Sequence, residues 1–242
     1  MNLIWFDHFF FLLVGVILPL VSLYSAQATK DLKNEDLFDE NESKKDIYYT
    51  NGFMLLIGGL LVTCNYALTG KSFTRLGFVL PKLDTLVIGL TCALALIYII
   101  DTIFSIQEYK KDTIKEQKDL EMILPKNWSE YKHYAFLAIN AGISEEIVYR
   151  GFLINYLREV LPVGPSNILL AVFIPSVIFA LSHMYQGWLN VLKIFTISIL
   201  LGNIYVYSES LLIVVIIHVL VDLISGSMLI FFSKKEVNEN RS

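Results

Sequence analysis

Charged side chains are scarce in this sequence. Asp, Glu, Lys and Arg make up 17% of its 242 residues, where a soluble domain carries about 25%. With 55% hydrophobic residues and a mean hydropathy of +0.57, that shortage excludes an ordinary soluble globule and places the chain in a bilayer. Basic residues are too scattered to form a phosphate-binding patch, and the formal net charge is -4, so nucleic acid is excluded as a partner. Cysteine is nearly absent. Cys64 and Cys92 fall in separate apolar segments without paired metal or redox spacing and read as packing residues. The first apolar run lacks the basic start and small-residue cleavage site of a signal peptide, so a retained helix is expected there. No internal repeat is visible, and no inverted halves with matching broken helices favour a transporter.

What the chain does have is apolar runs of helix length. Stretches at 9–24, 52–68, 83–104, 131–160, 167–184, 188–205 and 211–232 predict an all-α polytopic membrane bundle of about seven transmembrane helices. Polar loops are expected at 25–49 and 107–130, the second a solvated amphipathic segment. Gly58 and Gly59 would let a neighbouring helix approach closely. Pro162, Gly164 and Pro165 end the fourth helix, and Pro175 is expected to bend the fifth. With alternate loops on opposite sides, one side has only Lys71, Arg75, Lys82 and Arg158, while most other basic residues collect on the opposite side. The positive-inside rule then puts the amino terminus outside and the carboxyl terminus in the cytoplasm.

The fourth stretch is unlike the others. Ile143 to Leu153 reads Ile-Ser-Glu-Glu-Ile-Val-Tyr-Arg-Gly-Phe-Leu and sets two carboxylates and an arginine in apolar flanks. An ionisable group at the middle of a membrane helix costs about 2.5–3.5 kcal/mol even on a lenient scale, so three require a role. Glu146 and Arg150 are four apart and can pair along one face. Glu145 lies about 100° around the helix, without a partner at that spacing, and reads as the reactive group. His183, His218 and Asp222 add ionisable groups on two further apolar stretches, the last two sharing a helix face. Taken singly, each has a plain reading: Glu146 with Arg150 as a structural pair, His183 as an interfacial histidine, His218 with Asp222 as a packing hydrogen bond or proton path. His8 and His133 take the plain reading. Six such groups on three stretches, with nearly no other buried charge expected in that half, imply one shared polar cavity.

These residues resemble the CAAX-protease and bacteriocin-processing family, which includes the type II CAAX prenyl endopeptidases. Glu145, Glu146 and Arg150, followed by Gly151, match its Glu-Glu-x-x-x-Arg motif. Phe179 and His183 match Phe-x-x-x-His, and His218 and Asp222 match His-x-x-x-Asn/Asp. The resemblance covers roughly 140–226; before it, only Arg75-Leu-Gly-Phe looks like a connector found in the family. It implies a catalytic transmembrane core at 131–232, preceded by amino-terminal spans and polar loops at 1–130 and followed by a polar tail at 233–242. It also implies hydrolysis of a peptide bond by a glutamate-activated water, with Glu145 as general base and His183 holding the water. Glu146 and Arg150 would orient the site, and His218 and Asp222 would face the oxyanion. A carboxylate in a poorly solvated pocket suits this work because it can both take and return a proton, and an oxyanion needs donors already aimed at it.

One departure bears on substrate. The prenyl endopeptidases carry an amide-bearing Asn where this chain has Asp222, which donates a hydrogen bond only when protonated and could instead orient His218. The expected partners are a peptide or membrane-protein substrate and the lipid bilayer, most simply a bacterial plasma membrane. No cofactor is expected. A zinc-assisted hydrolysis ranks lower because there is no His-Glu-x-x-His run. The alternative is a peptide-binding or bacteriocin self-immunity membrane protein that holds a peptide in the same cavity without cutting it.

Overall fold

The computed structural model describes residues 3–24 except 22, 40–110, and 124–239 except 163 and 165. Seven helical rods account for nearly all of them, and no strand occurs among the described residues. They are α1, Trp5–Val21, α2, Glu40–Leu68, α3, Thr85–Lys110, α4, 128–160, α5, Ser166–Ser182, α6, Trp188–Ser208, and α7, Leu211–Glu239. Lys44–Leu68, Thr85–Gln107, Trp188–Ser208 and Leu211–Met228 are long and apolar enough to cross a membrane. Helices α1 and α5 are apolar but shorter, and α4 carries the motif charges. The chain is thus an integral membrane bundle, in which helices satisfy every backbone group without water.

Of the expected loop at 25–49, residues 25–39 lie outside the described residues and residues 40–49 belong to α2. Hydropathy marks only the part of a helix inside the bilayer, and this end is held by contacts beyond it. Lys44 Nζ donates to the Leu124 carbonyl at 2.8 Å and lies 3.6 Å from Glu130, while the Tyr48 ring meets Tyr134 edge-on at 5.7 Å. Similarly α3 runs on through Lys110, α4 begins at Trp128, and the expected tail continues α7 through Glu239. Residues 111–123, the bulk of the second predicted loop, lie outside the described residues. The start of α4 is capped by Asn127 Oδ1, which accepts from the Ser129 and Glu130 amides at 3.0 Å each.

Helix α4 is the axis of the bundle. Its apolar residues from Ile147 to Leu157 are buried with Phe10, Tyr66, Leu76, Ala171, Leu201 and Val214, drawn from the surrounding rods and the α2–α3 connection. Small residues set the closest approaches. A Cβ on Gly59 would lie 3.1 Å from Ser144 Cα, so α2 touches the α4 backbone there. The neighbouring Gly58 faces open space and has no such function. On the other side of α4, a Cβ on Gly142 would lie 2.6 Å from Val219 Cγ2 and 3.0 Å from the Val219 amide nitrogen of α7. Gly142→Ala therefore forces α4 and α7 apart and is expected to cost about 1–3 kcal/mol. Thermal unfolding in detergent measures it, with Gly58→Ala as the control expected to unfold like the native chain.

One buried charge fixes topology. Lys71 Nζ lies 2.6 Å from Asp7 Oδ2, and Asn65 Nδ2 donates to Asp7 Oδ1 at 3.0 Å. The start of α1 therefore sits beside the end of α2, as the alternation of crossings requires. His8 Nδ1 hydrogen-bonds the Tyr156 hydroxyl at 2.8 Å, and His133 Nδ1 that of Tyr49 at 2.9 Å, so both have packing partners.

Candidate active site

Where the motif charges begin, α4 changes pitch. Residues Glu146–Ile154 form a π-helix, continuous with α-helix on either side. Such widened turns concentrate at functional sites, because the slacker winding re-aims side chains that a 3.6-residue turn would stack. Glu146 is fully buried and Arg150 nearly so, at 0% and 2% side-chain exposure. Arg150 Nη1 donates to Glu146 Oε1 at 2.7 Å, and Nη2 donates to Ser198 Oγ at 2.9 Å. The guanidinium also stands over the Phe179 ring, 5.0 Å from its centroid. A buried cation needs every donor engaged, and here α4, α5 and α6 each supply a contact.

Helix α7 brings His218 to the same carboxylate. Its Nδ1 lies 2.7 Å from Glu146 Oε1, so the proton on Nδ1 points to Glu146 and the ring is locked. Nε2 then faces the more open end, 3.7 Å from Glu145 Oε2 and 3.7 Å from Asp222 Oδ2. Those lengths exceed a hydrogen bond, so Nε2 is committed to neither group. Exposure rises along the chain of contacts, from 0% at Glu146 through 10% at His218 and 12% at Glu145 to 30% at Asp222. The inner end is sealed and the outer end is reachable.

Five of the six sequence-predicted groups are thus joined by contacts of 3.7 Å or less: Glu145, Glu146, Arg150, His218 and Asp222. His183 joins them through an aromatic ring rather than a polar contact. Its Nδ1 donates to the Phe179 carbonyl at 2.8 Å, which leaves Nε2 with the lone pair. Its ring lies 4.6 Å from that of Phe179, and Phe179 meets His218 edge-on at 6.0 Å. Glu146 rather than Asp222 makes the short bond that orients His218. Glu146 Oε2 is the one buried side-chain oxygen without a hydrogen-bond partner among the described residues.

Two contributors escaped the reading by motif. Ser198, on α6, closes the arginine fork, but α6 also carries Asn190, Lys193, Thr196, Asn203 and Ser208, so nothing in the sequence singles it out. Phe179 was seen as a motif letter, but its place between Arg150 and both histidines needed coordinates. Among the described residues, no group of three or more His, Cys, Asp and Glu is arranged to hold a metal ion.

Residues 127–224 match the family model described as type II CAAX prenyl endopeptidase Rce1-like. The matched segment begins at the cap of α4 and ends just beyond Asp222, so it contains all six groups. No curated protein and no solved structure matches the chain.

Proposed function

We propose that the protein is an intramembrane endopeptidase, working on the Rce1-like plan of its matched segment, that hydrolyses a peptide bond through a water activated by Glu145. The carrying observation is the arrangement around Glu146. Its Oε1 is taken by both Arg150 and His218 in the sealed end of the site, while Glu145 remains uncommitted at the reachable end. A water between Glu145 and the scissile carbonyl would lose a proton to Glu145 as its oxygen bonds the carbonyl carbon. The resulting oxyanion would lie by His218 Nε2, in the gap bounded by Glu145 and Asp222. With Nδ1–H already given to Glu146, a proton on Nε2 makes the ring a fixed donor into that gap. Collapse breaks the C–N bond, and Glu145 returns its proton to the departing amine. His183, with its Nε2 lone pair free, would accept from the water and hold it in line.

Ser198 and Phe179 act one step back, by keeping Arg150, and through it Glu146 and His218, in place. No metal enters this reading. Substrates would be membrane-tethered peptides or proteins, reached from the bilayer of a bacterial plasma membrane. Incubating proteoliposomes of the purified chain with a membrane-tethered peptide, and looking for fragments by mass spectrometry, tests the proposal. Fragments are expected, with the rate lowered about 10²-fold in His183→Ala and unchanged by a chelator. Full activity in the variant would remove His183 from the reaction. Activity lost to the chelator together with a stoichiometric ion would replace this mechanism by a metal-assisted one. Intact peptide with saturable binding would favour the immunity reading.

A further inference from the structure

The structure carries a second polar site, away from the glutamates. A cavity of about 450 Å³ opens where the ends of α4 and α6 meet the α2–α3 connection. Every element that lines it is a rod end or a connection on the same side of the bundle, so it sits at a membrane edge, the one opposite the His183 end of α5. Arg75 enters from the connection and Arg158 from the last turn of α4, with Thr74, Asn155, Glu159 and Glu209 also on its wall. Both arginines are exposed. Neither guanidinium has a hydrogen-bond or ion-pair partner among the described residues, since only their backbone carbonyls are engaged.

The cavity is held open by a rigid frame. Asn155 Nδ2 lies 2.6 Å from the Arg75 carbonyl, 2.7 Å from that of Gly151 and 2.7 Å from the Tyr205 hydroxyl. Tyr205 also reaches the Arg75 carbonyl at 3.3 Å. Gly77, at φ 92°, turns the connection back so that its carbonyl accepts from the Leu211 amide at 2.8 Å. On the acidic side, Glu209 is already neutralised by Lys82 at 2.7 Å. Counting Arg75, Arg158 and Lys82 against Glu159 and Glu209, the surroundings carry three positive and two negative charges, a balance of +1.

We propose that this cavity binds a phosphate ester, with the two guanidiniums as a clamp on its oxygens and Thr74 as a further hydroxyl donor. Two unpaired planar forks converging on one recess suit phosphate oxygens in number and geometry. Its place at the membrane edge makes a phospholipid headgroup one source; a soluble phosphate ester is the other. The site is independent of peptide cleavage, and nothing in it requires the chain to be a peptidase.

The test is stability of the full chain in detergent during titration with phosphatidylglycerol, with a phosphate-free galactosyl diacylglycerol, or with glycerol phosphate. Phosphatidylglycerol is expected to raise the unfolding temperature saturably, and the galactolipid much less. Each of Arg75→Gln and Arg158→Gln is expected to weaken half-saturation about tenfold, and together they abolish the difference between the lipids. Asn155 and Tyr205 hold the Arg75 backbone rather than its side chain, so the substitution leaves the frame intact; the variants' unfolding temperature in galactolipid checks this. Native mass spectrometry of the wild-type chain, counting retained phosphatidylglycerol, gives a readout free of any variant. Equal effects of both lipids and of glycerol phosphate, or undiminished preference in the double variant, would overturn the proposal. Saturable stabilisation by glycerol phosphate matching the lipid would identify the soluble source.

Discussion

Glu145→Gln is expected to lower peptide cleavage about 10³-fold while leaving the unfolding temperature within about 2 °C of the native chain. The substitution keeps the shape of the side chain and removes its ability to take a proton. Stability should be spared because Glu145 makes no hydrogen bond among the described residues; His218 Nε2 stands 3.7 Å from its Oε2. The two readouts separate a reacting group from a structural one. Cleavage above a tenth of the native rate would move the general base elsewhere, and Asp222, the most exposed carboxylate of the site, would be the next to substitute.

The opposite pattern is expected at the sealed end. Arg150→Met leaves Glu146 buried without its cation and strips contacts to Ser198 and Phe179. Breaking such a pair from one side costs about 3–5 kcal/mol, which makes this the largest single loss of stability expected at the site. Adding Glu146→Gln should recover about half of that loss, because a neutral amide is far cheaper to bury than a carboxylate left with His218 as its one remaining partner. Arg150→Lys is expected to fall between, since an ammonium cannot fork to both Glu146 and Ser198. Chemical or thermal unfolding in detergent measures all three. An Arg150→Met chain as stable as the native one would show that the pair does not hold α4, α5 and α6 together.

Much of the site was legible because charge in an apolar rod is conspicuous. Glu145, Glu146, Arg150, His183, His218 and Asp222 all stand out against leucine and isoleucine, and the breaks at 161–165 and 208–211 separate the rods that bear them. The order of contacts was less legible. A spacing of four residues announces the Glu146–Arg150 pair but cannot show that His218, 72 positions away, takes the same oxygen. Nor does apolar periodicity distinguish an α-helix from the π-widened turn at Glu146–Ile154, since the segment is buried on every side. Residues 40–49 were misread for a related reason: polarity reports the solvent around a helix, not whether the backbone is helical. Gly58 and Gly59 look alike in sequence, and only packing shows that Ser144 stands against the second.

The central claim is that Glu145 activates water rather than attacking the peptide itself. It is tested most directly by a single turnover in H₂¹⁸O, with protein in excess over a membrane-tethered peptide. The products and the peptide containing Glu145 are then weighed. One ¹⁸O in the new carboxyl terminus and none in Glu145 is the predicted result. Label in the Glu145 carboxylate, with an unlabelled product, would contradict it by showing a covalent acyl intermediate on that side chain.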